Sequence, residues 1–242
     1  MAVNYNTTSD WIRDVYVPST GIVTSNLTFY VDAIRHSNNN PAIADLSGND
    51  NHGSIVNNPT FNSSNGYLTL NGVDQYITVP ANSVFNFAAR DFTIELAAKM
   101  NDNTSWATLF GQTDGVVGYA PVVIFKYANN IKMYASSTGS SWNILVDALA
   151  LNPVSYTTTA WMCLSLTRNA NTWSVYLNGS IANTTTASGT LYTASTPVKI
   201  CARPEISEYA NASISFVRIY DKALSNTELT TNFNAVKARY GL

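Results

Sequence analysis

With 242 residues, a formal charge of −2 and only 12% charged side chains, the chain lacks the basic face that a nucleic-acid binder needs. Its 45% hydrophobic content supports a sizeable core and excludes general disorder, and no apolar run is long enough for a membrane-spanning helix. Asn, Ser and Thr make up about a third of the residues, a composition suited to the turns and solvated strand faces of an all-β protein.

Residues 1–25 are polar, with isolated apolar anchors that include Trp11, Ile12 and Tyr16. Such a strip suits a docking arm that gains order on a partner, or an edge strand laid along the body. The first residues lack the apolar stretch of a secretory signal, so the expectation is either use without such export or a signal already removed. Residues 26–242 read as one domain, without internal repeats.

Leu27 to Ile34 is a first strand. The segment from Asp45 to Pro80 then alternates turns and short strands, with LTL and QYITVP joined at Asn71-Gly72-Val73-Asp74 as a hairpin. Phe92, Ile94 and Leu96 alternate with Thr93, Glu95 and Ala97. Hairpins are expected around Ala128–Asn130, around Asn169–Asn171 and at Asn178-Gly179, where both residues tolerate the left-handed backbone of a tight turn. Strands at Val198–Ala202 and Ile214–Tyr220 complete the series. Many short strands without intervening helices imply an antiparallel β-sandwich.

One helix is expected, at the C-terminus. Ser225 and Glu228 form a capping box, Leu224 and Leu229 a hydrophobic staple, and Gly241 a stop. Lys237 and Arg239 suit the negative end of its dipole. Cys163 and Cys201, apolar-flanked and in separate strands, read as buried thiols rather than a disulfide.

In order and spacing these segments resemble laminin G-like (concanavalin A-like) jelly-roll domains, especially those in structural proteins of tailed marine phages. The likeness rests on FYVDA, on Asp45, Ser47, Gly48 and Asn49 with His52-Gly53, and on the Leu70–Ile77 block. It continues through Phe92–Glu95, Trp161–Thr167, Val175–Gly179 and Val217–Tyr220 with Ala223–Ser225 and Glu228. The resemblance implies a jelly roll displayed on a virion. Ser215 stands where the family often carries an acid, so no inherited carboxylate or calcium role follows there.

Catalytic chemistry is sparse. Glycoside hydrolysis needs two carboxylates flanking the scissile bond, and the nearest strand offers only Glu95; Glu205 and Glu208 fall in a loop. His36 and His52 read as turn residues. Asp45, Asn49, Asp50 and Asn51 gather oxygens of the kind calcium takes, although Asx-turns account for them equally; no other cofactor is indicated. Trp106, Tyr119 and Trp142 fall in or beside expected loops, where their rings could stack on sugar, while Trp161 and Trp173 read as core.

The combined expectation is a non-enzymatic virion structural protein of a tailed phage, assembled in the host cytoplasm and displayed on capsid, tail or fibre. Its partners would be other virion proteins, further copies of itself in the particle and host-surface glycans, with neither nucleic acid nor membrane insertion. The alternatives are an exported bacterial carbohydrate-binding adhesin module and a glycoside hydrolase with an atypical acid pair.

Overall fold

The structure, a computed structural model, describes residues 21–36, 40–102, 106–113, 118–128, 130–147, 150–151 and 159–242. Trp11, Ile12 and Tyr16 of the expected arm lie outside these residues. Strands are numbered in chain order. The first sheet runs β14 (Ser180–Thr186), β13 (Thr172–Leu177), β12 (Trp161–Asn169), β7 (Phe92–Met100), β18 (Ala212–Tyr220), β5 (Tyr67–Thr69) and β4 (Thr60–Asn62). β1 (Leu27–Asp32) also pairs with β18. The second sheet runs β11 (Ala150–Leu151), β10 (Asn130–Ala135), β9 (Val122–Tyr127), β8 (Trp106–Gly111), β15 (Val198–Ile200), β6 (Tyr76–Val79), β3 (Gly53–Val56) and β2 (Ala42–Ile43). A short ribbon pairs β16 (Ala202–Arg203) with β17 (Glu208–Tyr209).

Period-two alternation sends one row of side chains from each sheet inward. Phe92, Ile94, Leu96, Val217 and Ile219 of the first sheet meet Ile77, Leu109, Ile124 and Met133 of the second in one continuous core. Each such side chain contributes about 1.5–3 kcal/mol on full burial. Trp173 is wholly buried and its indole N–H donates to the Ala187 carbonyl at 3.0 Å. Both cysteines are free and buried, and burial pushes each thiol up to about 12.

β7 is buried on both faces, against the usual outward solvation of such a strand, because helix α1 (Asn226–Tyr240) lies across the outside of the first sheet. Val236, Phe233 and Tyr240 pack on Ala97, Cys163 and Phe216, while Leu224 and Leu229 pack with Tyr176 and Tyr220. The capping box forms as read: the Ser225 hydroxyl accepts from the Glu228 N–H, and the Glu228 carboxylate accepts from the Ser225 N–H. Ile22 and Val23 join the same packing, and Val23 N–H donates to Asn232 at 2.7 Å. Ile22 and Val23, within the segment assigned to the arm from sequence, therefore pack on the outside of the sandwich.

The Asn71–Asp74 turn needs correction. β5 and β6 belong to different sheets, so the turn is a corner between layers rather than a hairpin. Asn71 Oδ1 accepts from the Val73 N–H at 2.9 Å, and Gly72 holds φ +73° against the Asn211 backbone. The turn chemistry was legible, but β5 pairs with β4 and β18 while β6 pairs with β3 and β15, so the two strands do not pair with each other.

The Asp45 loop closes the free edge of β1. Asp45 Oδ1 accepts from the N–H groups of Tyr30 and Ser47, and Oδ2 accepts from the Asn51 N–H and the Ser47 hydroxyl. Leu46 N–H donates to the Tyr30 carbonyl, and the Ser47 and Asn49 side chains donate to the Thr28 carbonyl. The loop thus supplies the hydrogen bonds of a missing strand. His52 belongs to it too, its Nδ1 accepting from the Asp45 N–H.

Candidate functional site

Outside the core, polar chemistry concentrates on the two outer sheet faces, and the two faces differ. On the first, Glu95 stands opposite Arg218 across the β7–β18 pair, beneath α1. Glu95 is 5% exposed, Arg218 fully buried, and their nearest oxygen and nitrogen are 3.6 Å apart. The Glu95 carboxylate accepts from Asn232 at 2.7 Å and Ser165 at 3.1 Å. Burial pushes its pKa up, against the opposing pull of Arg218 and of these hydrogen bonds. The Arg218 guanidinium lies 3.9 Å from the Phe216 ring centre, and its nitrogens have no hydrogen-bond partner among the described residues. Beside it is a cavity of about 10 Å³, near the least that a single water needs.

This arrangement anchors a helix. Glu95, the carboxylate nearest to a hydrolase role in the sequence, is enclosed beneath α1 rather than lining a cleft. Ser215 is structural as well, its hydroxyl donating to the Gly66 carbonyl at 2.6 Å next to Arg239.

On the second sheet, β8, β9 and β10 turn Trp106, Thr108, Phe125, Tyr127, Lys132 and Tyr134 outward, while Ala107, Ile124 and Met133 enter the core. The outward aromatics touch in sequence. Tyr127 meets Trp106, Trp106 stacks on Phe125, Phe125 meets the Tyr134 edge, and Tyr134 and Tyr119 both meet Trp142. Centroid separations along this row run from 4.2 to 5.5 Å. Trp106 is 45% exposed and Tyr127 37% exposed, whereas Phe125 beneath them is buried.

Charged pairs frame the row. Lys132 Nζ and the Tyr134 hydroxyl both donate to Asp147 Oδ1, and Lys132 lies 5.1 Å from the Tyr127 ring centre. Those two donors hold the Asp147 carboxyl below its ordinary range, so it is ionised at neutral pH. Burial, reinforced by the bond to Asp147, pushes the Tyr134 phenol up to about 12. Farther along, Arg203 pairs with Glu208 and Thr108 and donates to the Gly118 carbonyl, and Lys199 pairs with Glu205. Burial raises the Glu205 carboxyl, but bonds from Lys199, from its own N–H and from Thr113 outweigh that and hold it low. Each of these two acids is thus neutralised by its own cation.

The three aromatics read from sequence are therefore neighbours on one face, with Trp106 at the start of β8 and Tyr119 and Trp142 in loops. The Tyr192 hydroxyl fixes the Tyr119 carbonyl at 2.9 Å. Phe125, Tyr127, Tyr134, Lys132 and Asp147 escaped sequence reasoning. The aromatic alternation Phe125–Tyr127 in β9 was the signal that could have found the first two. Among the described residues no group of three or more His, Cys, Asp or Glu side chains converges as a metal site, and the Asp45 oxygens already accept three hydrogen bonds from the loop and one from Tyr30 of β1.

The family pattern described as the concanavalin A-like lectin/glucanases superfamily matches residues 71–230. The chain belongs to that superfamily. Among solved structures, it is similar to the binding domain of botulinum neurotoxin DC in complex with SialylT, at 15% identity and TM-score 0.69, with 88% of this chain and 52% of that chain covered. It is also similar to botulinum neurotoxin type C, whose cell entry is dependent upon interaction with two ganglioside molecules (16%, TM-score 0.69, 88% and 52%). A third is the binding domain of Paraclostridial Mosquitocidal Protein 1 (18%, TM-score 0.67, 87% and 52%). At these identities the likeness concerns fold, and the chain spans about half the length of the solved structures it matches. A comparison with curated proteins found no match.

Proposed function

We propose that the chain is a non-enzymatic carbohydrate-binding module that takes sugar on the outer face of its second sheet, over Trp106, Tyr127, Trp142 and Tyr119. One observation carries this reading: the row of touching aromatics, with exposed rings resting on buried ones, on a sheet face framed by polar groups. Flat pyranose faces stack on such rings while side chains at the margin bond the hydroxyls. Superfamily membership supports it, as do the SialylT bound by one similar structure and the gangliosides on which the cell entry of another depends. Glu205 and Glu208, each held by its own cation, and Glu95, enclosed under the helix, favour binding over turnover.

The setting proposed is the surface of a tailed-phage particle, with copies of the chain and other virion proteins as neighbours; the resemblance of the sequence segments is its support. A glycan array probed with the full chain tests the binding. Trp106→Ala should weaken any signal about tenfold, the equivalent of ~1.4 kcal/mol of stacking, without unfolding the domain. An array without signal, or a Trp106→Ala variant that binds as well, would overturn the assignment. Mass spectrometry of purified phage particles tests the setting, and absence of the chain from them would sink it.

A further inference from the structure

We infer that this face selects neutral sugars and rejects sialylated or sulfated ones, with Asp147 as the acceptor for a sugar hydroxyl. The inference rests on the carbohydrate-binding reading and narrows it. Among the described residues three cations border the aromatic row, and each is already matched: Lys132 by Asp147, Arg203 by Glu208 and Lys199 by Glu205. Arg218, whose guanidinium has no hydrogen-bond partner among the described residues, is buried on the other sheet under α1. Nor do the undescribed segments between residues 21 and 242 add a cation, since they contain neither Lys nor Arg. An anionic sugar would therefore have to break an existing ion pair, or leave its own carboxylate or sulfate without a countercharge.

A neutral sugar meets a better fit. Both donors that reach Asp147, Lys132 and Tyr134, bind the same oxygen, Oδ1. No described residue donates to Oδ2, and the side chain is 59% exposed. Oδ2 is thus an ionised acceptor, fixed in place through its sister oxygen, beside the Tyr127 ring that Lys132 overlies. A ring stacked on Trp106 and Tyr127 can direct a hydroxyl to it, and a hydrogen bond to a charged acceptor is stronger than one between neutral groups. The same negative charge repels an acidic substituent.

The test is an array carrying neutral oligosaccharides, each printed beside its sialylated and sulfated derivatives, probed with the full chain. The expected result is signal on neutral members, with acidic derivatives weaker by on the order of tenfold. Asp147→Asn should reduce neutral binding and narrow the gap between neutral and acidic partners, with thermal melting confirming that the variant is folded. Lys132→Met, which strips the countercharge, should widen the gap. Acidic derivatives bound as well as their neutral parents, or ratios unmoved by both variants, would overturn the inference while leaving sugar binding intact. No signal on any glycan would remove the sugar-binding reading itself, and this inference with it.

Discussion

The exposed Trp106 ring lies parallel to the buried Phe125 ring, with centroids 5.5 Å apart and planes 8° from each other. The lower ring is locked in the sheet and keeps the upper one flat against it. Stability and recognition should therefore separate at this pair. Phe125→Ala should cost about 3–5 kcal/mol because it empties a buried site. Trp106→Ala, removing a half-exposed ring and its two aromatic pairs, with Phe125 and Tyr127, should cost less, about 1–3 kcal/mol. Urea unfolding of both variants checks this, and equal losses would show that Trp106 serves packing as much as Phe125 does.

The helix cap gives a second expectation. Ser225→Ala removes the hydroxyl that accepts the Glu228 N–H and should cost about 1 kcal/mol. Glu228 also binds Lys222, so the carboxylate stays anchored and the effect reports on the hydroxyl alone. A midpoint shift indistinguishable from zero in chemical denaturation would mean that the cap adds nothing.

The buried pair under the helix should behave as a unit. Arg218→Met leaves Glu95 enclosed without its cation and should cost about 3–5 kcal/mol. Combined with Glu95→Gln, the same change should cost less than the two single losses added together. A double-mutant cycle by urea denaturation measures the coupling, and strict additivity would show that the two groups do not sense each other across 3.6 Å.

Acid should weaken the fold through specific carboxylates. Asp147, Glu205 and Glu228 are all held below their ordinary values. Their stabilising contribution is therefore complete above the unfolded-state value, 4.5 for the glutamates, and is lost as pH falls through the lower folded-state values. Glu95 has the opposite sign: its pKa is raised, so its contribution is complete below the unfolded-state value and fades as pH rises through the folded one. Melting temperature followed downward from neutral pH should fall, and Glu205→Gln should flatten that fall. A variant that follows the parent slope would show that Lys199–Glu205 contributes nothing to it.

Local chemistry was legible in the sequence, and sheet membership was not. The Asn178-Gly179 hairpin announces itself because both residues adopt positive φ, +51° and +76°. The capping box and staple are equally local. Asn71–Asp74 carries similar turn chemistry yet changes layer, since the destination of β6 depends on β3 and β15. The same limit hid the aromatic row. Trp106, Tyr119 and Trp142 stood out singly as large rings near turns, but only the register of β8 on β9 places Trp106 over Phe125. β8, which was not recognised as a strand, interrupts its alternation with a bulge between Thr108 and Phe110. The Glu95–Arg218 pairing, likewise, joins residues more than a hundred positions apart.

Helix α1 and residues 21–25 share the outside of the first sheet: Gly21 approaches Ala235, and Val23 bonds Asn232. Both ends of the described fold thus lie on the side away from Trp106 and Tyr127. A surface gripping the domain near either end would face the helix and leave the aromatic row turned toward the medium. For immobilisation on a sensor chip, this favours a tag at the C-terminus and argues against coupling through Lys132, which would anchor the domain by the face under study.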